Sequence, residues 1–407
     1  MEFVRKKIAQ KFPTYGEKNI FWFYFIAIFG NAWFQIGNWL LYVLLFMGAG
    51  EFAVYESIAF AAGIMLEIPS GAIADLWGRK RTVSIGIFMN FIGSALFTLG
   101  YLGNEYFFFG NLIIIMGFAL ISGSLEALVY DTLVEKKKVQ YYDDIIGKGH
   151  SLNILSLVVA GAIGGLLWRY SIYAPWIITT ISFGIAFLAT FKLKEPKVDT
   201  ETFTIKNFFK QNKRGFHYLF KSDFRKYTFS LAIIAGSYLM WSAGIVRVLM
   251  GRDFGYDGES LSYLISVTLI AGFFATYYFK AIRKKLGDKH GFSILLLMSA
   301  VAWIATGVLP NTLALGVVVF MGITIAGSLS KIWSSVILNS HVLSKDRATA
   351  ISTLSFFVQI PYVLVVVLYG TLIVNGNAEP FYVVTGILLI FGLISFYRAE
   401  NAKVIVK

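Results

Sequence analysis

Two ionisable side chains sit inside long apolar stretches: Glu126, within residues 106–133, and Lys331, within 312–341. A charge at mid-membrane costs at least ~2.5–3.5 kcal/mol on insertion scales, so each needs a reason. A carboxylate there can take up and release a proton, and an ammonium can serve as its counter-charge. The other reading is a structural ion pair between helices, or polar groups satisfied by nearby backbone. Polar stripes surround both residues. Asn31, Gln35, Asn38 and Tyr42 follow at intervals of 4, 3 and 4; Thr324, Ser328, Lys331, Ser335 and Asn339 follow at 4, 3, 4 and 4. Glu126 shares a helical line with Ser122 and Tyr130, and Ser230, Ser237 and Trp241 mark a further helix. Such stripes are the reverse of a lipid-facing surface. Glu67 shares a face with Gly71 and Asp75 and is expected to pack beside them. Arg247, toward the end of its span, is expected to snorkel to the interface. Trp33, Trp39, Trp241 and Trp333 offer lining for an aromatic or amphipathic solute, and each singly also fits simple packing.

The elements that hold these residues are long and apolar. The 407-residue chain is 57% hydrophobic and 14% charged, with a mean hydropathy of +0.68. Its apolar runs reach the ~20 residues needed to cross a ~30 Å hydrocarbon core, and the strict alternation of a β-barrel is absent. Twelve spans are predicted near 20–47, 52–74, 82–102, 106–133, 148–168, 173–192, 226–250, 259–282, 291–309, 312–341, 347–374 and 380–398. With the N-terminus placed in the cytoplasm, 32 of the 36 Lys and Arg residues fall on the cytoplasmic side, leaving Arg169, Arg247, Arg252 and Lys331. That bias is the positive-inside rule and puts both termini inside. Glu51, Glu56, Glu105 and Glu379 are assigned to outward loops. The net charge of +13 therefore reports orientation and contact with anionic lipid rather than nucleic acid. No cleavable leader is expected, because residues 1–19 are basic and mixed. With no cysteine and four histidines lacking metal-ligand spacing, no metal or cofactor is expected.

The chain reads as a duplication. Residues 116–125 (MGFALISGSL) resemble 321–329 (MGITIAGSL) at an offset of 204–205 positions, half the chain. The repeat places Glu126 and Lys331 at adjacent equivalent positions, one in each half. A basic, aromatic interval separates the halves, giving a first six-helix bundle over 1–192, a linker with interfacial helix over 193–225, and a second bundle over 226–407. Between the second and third spans lies Gly71-Ala-Ile-Ala-Asp75-Leu-Trp-Gly78-Arg79-Lys80-Arg81. Gly71 permits close helix packing and Gly78 a tight turn. Asp75 and Arg79 sit at the lipid–water boundary, where an ion pair is partly desolvated. Asp131 ends the fourth span on the same side. It lies five residues past Glu126, about 140° round the helix, so the two carboxylates face different neighbours.

This turn resembles the signature G-x-L-A-D-R-x-G-R-K of the major facilitator superfamily. Gly71, Ala74, Asp75, Gly78, Arg79 and Lys80 match, while Ile73 and Leu76 depart. Glu67-Ile-Pro-Ser-Gly71 and Arg347-Ala-Thr-Ala-Ile-Ser352 are also similar to that family, and Leu286-Gly-Asp-Lys289 is a degenerate second copy. The resemblance implies an all-α membrane fold of 12 helices in two pseudo-symmetric bundles. It implies a multi-pass monomer of the cytoplasmic membrane whose spans one, four, seven and ten line a cavity. It further implies that Asp75, Arg79 and Asp131 form a charge relay latching the outward-open state; a solvated, merely positive-inside turn is the alternative. The function implied is secondary transport of a small solute, driven by a proton or other ion gradient. Drug exporters of the family carry an Arg in span four and Gly-Pro-x-x-Gly-Gly in span five. Here span four has no Arg, and span five reads Ala160-Gly-Ala-Ile-Gly164-Gly165. The element keeps its closing pair Gly164-Gly165, so the exporter signature is partial; proton-coupled efflux of an amphipathic solute is expected, with a nutrient or osmolyte importer, a lipid or lysolipid flippase and a non-transporting sensor as alternatives. With no G-x-S-x-G and no P-loop, the chain is not expected to be an enzyme.

Overall fold

The structure is a computed structural model. It describes residues 17–196, 219–220, 225–341 and 347–405, though not the side chains at 68, 69, 71, 72, 75, 76, 143, 338–341, 347–353, 355, 356 and 402–405. Most of the predicted linker and the side chains of Gly71, Asp75 and Asn339 thus lie outside the described residues.

Each predicted apolar stretch contains helix, continuous in some spans and interrupted in others. In chain order these are α1 (Lys18–Phe29) with the short α2 (Trp39–Val43), α3 (Ala49–Trp77), α4 (Arg79–Thr98), α5 (Asn104–Ile121) with α6 (Ser124–Glu135), α7 (Tyr142–Tyr170) and α8 (Ala174–Thr190). The second half holds α9 (Arg225–Ser242) with α10 (Ile245–Asp253), α11 (Gly258–Tyr277), α12 (Phe279–Val308), α13 (Leu313–His341), α14 (Arg347–Val374) and α15 (Glu379–Ile405). Among the described residues, nine helices are long and apolar enough to cross a membrane. α9 and α10 pass together as a pair bent by 69°, and α1 and α8 are shorter apolar helices. This is a multi-pass membrane protein. Helices dominate because a backbone in hydrocarbon must satisfy its own N–H and C=O groups. Where a helix starts in water, side chains take over. Asp257 accepts from the Ser260 backbone at 2.8 Å, and Ser260 returns a bond to the Asp257 N–H at 3.0 Å. The Ser260 hydroxyl and then the Ser260 backbone N–H, both donating to the carboxylate, hold Asp257 below its usual range.

Small residues let the helices approach. A Cβ on Gly86 or Gly93 of α4 would stand 2.7 or 2.8 Å from the Gly117 or Gly110 carbonyl of α5. The same device joins the two halves at the end opposite the termini, called here the far end. Gly37 faces Ser262 of α11, Gly165 of α7 faces Glu259 and Ser262, and Gly50 of α3 faces Gly370 of α14. Ser57 of α3 donates to the Val363 carbonyl of α14 at 2.6 Å. The far end is closed in this structure.

Gly37 is among the tightest points of this seam, since a Cβ there would meet the Ser262 Cα at 2.4 Å and backbone cannot yield. Replacing Gly37 with Val should therefore prop the far end apart. Spin labels on Leu45→Cys and Val374→Cys, both exposed, should report a longer distance in that variant than in its parent.

Candidate functional site

Three of the four spans expected to line a cavity are not continuous helices. The first unwinds over 30–38, between α1 and α2. The fourth breaks at Ser122-Gly123, with Gly123 at φ +74°, and the seventh at Ala243-Gly244, with Gly244 at φ +109°. Asn31, Gln35, Asn38 and Tyr42 therefore do not form the single helical stripe that their spacing suggests. They serve the break instead. Asn31 donates to the Ala27 carbonyl and to the Asn153 side chain of α7, each at 3.1 Å. The Thr179 hydroxyl of α8 donates to Gln35 and accepts from the Phe34 N–H at 3.0 Å. Asn38 reaches the Gly164 carbonyl and the Ser262 hydroxyl at 3.4 and 3.3 Å. Gln35 and Asn38 are buried, each bonded to a neighbouring helix.

Beside the breaks of the first and fourth spans lies a cavity of about 220 Å³ within the first half. Its polar wall is made by Asn31, Asn90, Ser122, Glu126, His150 and Asn153. Glu126 stands in the first turn of α6, and its carboxylate meets His150 Nε2 of α7 at 3.5 Å, with both side chains about half exposed. A carboxylate and an imidazole in contact can share or pass one proton. Sequence reasoning missed His150 because its partner comes from another helix. The Ser122 end of the expected Glu126 line is lost to the helix break. Tyr130 faces outward and packs edge-on against Tyr142 at 5.2 Å.

Whether Glu126 pairs with Lys331 was open in the sequence; among the described residues no ion pair joins them in this structure. Lys331 is exposed on α13, its Nζ 5.4 Å from the Tyr238 ring centre of α9, with Ser335 half-buried one turn on. Trp241 is wholly buried against Phe320 at 4.4 Å, and Trp333 is buried too, its indole N–H donating to Asp288 at 2.9 Å. Neither indole is exposed in this structure. Arg247 does not snorkel. The bend after α9 turns it inward, where it is 9% exposed and its guanidinium reaches the Ile36 carbonyl of the unwound first span at 3.5 Å. Glu67 meets Gln359 of α14. Glu56 is in no outward loop: it is buried within α3.

At the end that carries the termini, the Gly71–Arg81 turn is tied down twice. Arg79 Nε donates to the Asp131 carboxylate of α6, a pair largely shielded from solvent. The carboxylate of Glu195, beyond α8, accepts from the backbone N–H groups of Arg79 and Lys80 at 2.7 and 2.8 Å. It thereby caps the first turn of α4, where a negative charge is favoured. Lys80 Nζ donates to the Phe191 carbonyl at 3.3 Å. Gly78 must be glycine: its φ is +92°, and a Cβ would stand 2.8 Å from the Glu195 carboxylate. Glu195 was not singled out from sequence, although it is the first acid after α8. The second half repeats the backbone turn at Gly287, φ +69°, with the charges rearranged, Asp288 holding Arg283 at 2.6 and 2.8 Å.

No family model matches the chain. Comparison with solved structures decides the fold. The nucleoside transporter NupG superposes with a TM-score of 0.73 over 94% of this chain and 98% of that one, at 15% identity. The chain has the major facilitator superfamily fold. Two curated proteins are also similar. Multidrug resistance protein 2 of Bacillus subtilis (strain 168) is 23% identical over 271 residues, 63% of this chain and 64% of that protein. An uncharacterized transporter of Buchnera aphidicola subsp. Schizaphis graminum (strain Sg) is 29% identical over 126 residues, 30% of this chain and 31% of that protein. Each match spans less than two thirds of the relative. None of these proteins is named as an enzyme, in line with the motifs absent here. In the major facilitator fold, the turn after α3 sits where its charges tie α4 to α6 and to the end of α8.

A shielded pair and a solvated turn differ in energy. Breaking a buried ion pair on one side costs ~3–5 kcal/mol, whereas exposed pairs couple by at most about 1 kcal/mol. A double-mutant cycle of Arg79→Met and Asp131→Asn, read by thermal unfolding in detergent, should give a coupling clearly above the exposed-pair range.

Proposed function

We propose that the protein is a secondary transporter that expels a small amphipathic organic solute in exchange for protons, by alternating access. It lies in the cytoplasmic membrane as a monomer with both termini cytoplasmic, and takes its energy from the proton gradient rather than a cofactor. The observation that carries this reading is the Glu126–His150 contact on the wall of the cavity. An acid and an imidazole facing a solute-sized space beside an unwound helix are the groups that proton exchange requires. Discontinuous helices supply polar backbone to such sites. Lys331 and Ser335, exposed and half-buried on α13, are the residues of the second half offered to the same solute. The turn holding Arg79, Lys80, Asp131 and Glu195 governs which end opens. The likeness to a multidrug resistance protein agrees with export.

A second reading, flipping of a lysolipid, has one observation in its favour. An apolar groove of about 570 Å³ runs between α14 and α15 over a floor from α9. Its rim residues Leu368 and Val384 are exposed, so in a bilayer they meet lipid chains.

Everted membrane vesicles given ethidium and an imposed pH gradient test the first reading. Accumulation should follow an acid interior and fall at least tenfold in Glu126→Gln at equal protein level. Gradient-independent ethidium movement, or full activity in Glu126→Gln, contradicts proton exchange at this site. Movement of a fluorescent lysolipid alone favours the second reading.

A further inference from the structure

Glu56 is a group that the proposed cavity does not use. It stands seven residues into α3, about 10 Å along the helix from its far-end start. It is 3% exposed. Asn111 of α5 donates to Oε2 at 2.7 Å, and the Tyr362 hydroxyl of α14 donates to Oε1 at 3.3 Å. Its two partners thus come from different halves of the protein, Asn111 from its own half and Tyr362 from the other. The Tyr362 ring also packs on Phe60 of α3 at 4.4 Å, and the Ser57 bond to Val363 lies beside it. Glu56 is therefore part of the seam that closes the far end.

No cation meets this carboxylate among the described residues. Glu51, on the same helix, is engaged by Asn104 and Tyr55 at 2.9 and 3.4 Å. Glu105 lies at the far-end start of α5. The charged groups of α4 and α6, Arg79, Lys80, Arg81, Glu126, Asp131 and Glu135, lie several turns toward the terminal end. Tyr362 is the titratable group set against Glu56 from α14. An ionised carboxylate held by two neutral donors and sealed from water carries an uncompensated desolvation cost. The neutral acid has no charge to desolvate, and its hydrogen bonds offset the smaller polar cost. With a proton on Oε1 it can donate to the Tyr362 hydroxyl oxygen, so the contact between halves survives with its direction reversed.

We propose that Glu56 is a proton-binding site of the far-end gate: it takes a proton from the outer solution as the gate shuts and gives it back when the gate opens. This rests on the reading of the protein as an alternating-access carrier. The step forms one O–H bond on the carboxylate with a proton supplied by outer water, and opening returns that proton to water. When α3 and α14 part, Tyr362 leaves and water hydrates the charge. Proton binding therefore favours the closed gate, and closing the gate tightens proton binding by the same factor.

The chain has no cysteine, so labels can be placed without background. Spin labels on Leu45→Cys and Val374→Cys, with the protein in nanodiscs, should show the far-end distance lengthening from mildly acid to alkaline solution. Glu56→Gln, an isostere that keeps an acceptor for Asn111, should lose that dependence and stay closed. Tyr362→Phe removes a contact that holds the closed gate whether Glu56 is charged or neutral, so opening should begin at lower pH than in the parent; it carries the test alone if Glu56→Gln does not fold. Equal pH dependence in Glu56→Gln and parent, or no far-end response in the parent, overturns the proposal. The ethidium assay judges the transport reading separately, so either can fail without the other.

Discussion

Backbone in hydrocarbon must find partners for every N–H and C=O, and this chain breaks three of its membrane helices. The unwound stretch at 30–38 is held by Thr179 from α8, Gly164 from α7, Ser262 from α11 and Arg247 from α10. Two of those partners belong to the second half. The break in the first span is therefore stabilised in part by the closed arrangement of the halves, and the site beside it is coupled to closure. Glu126 owes its position to a similar break, because the turn at Ser122-Gly123 starts a new helix whose first turn presents the carboxylate to His150.

The two ends of the molecule are secured by different physics. The far end closes on backbone contact and small residues, with Gly37, Gly50, Gly165 and Gly370 admitting a neighbour where a side chain would not fit. Such a seam is dry and intolerant of volume. The terminal end is secured by charge, with Asp131 and Glu195 both acting on the start of α4. The Arg79–Asp131 pair is largely shielded, so this end too resists opening until water reaches the charges.

Span length and apolar runs made the helices legible in the sequence, and the Gly71–Arg81 turn made the Arg79–Asp131 pair legible. The helix breaks were hidden because Asn31, Gln35 and Asn38 occur at helical spacing. Their partners Asn153, Thr179 and Gly164 lie more than 100 residues away. Arg247 read as an interfacial residue because nothing local announces the 69° bend that turns it inward. Nothing local distinguishes Glu56 from Glu51; only the register of α3 against α5 and α14 shows it buried. In each case the deciding partner is on another helix, so a reading along one segment could not supply it.

The central claim is that closure of one end and opening of the other are a single motion about the broken spans. Double electron–electron resonance on two label pairs tests this most directly: Leu45 with Val374 at the far end, and Gln140 with Lys284 at the terminal end, all four exposed. Across a change of pH or addition of ethidium, one distance should lengthen as the other shortens, with matching populations. Two distances that change independently, or that lengthen together, would contradict the account.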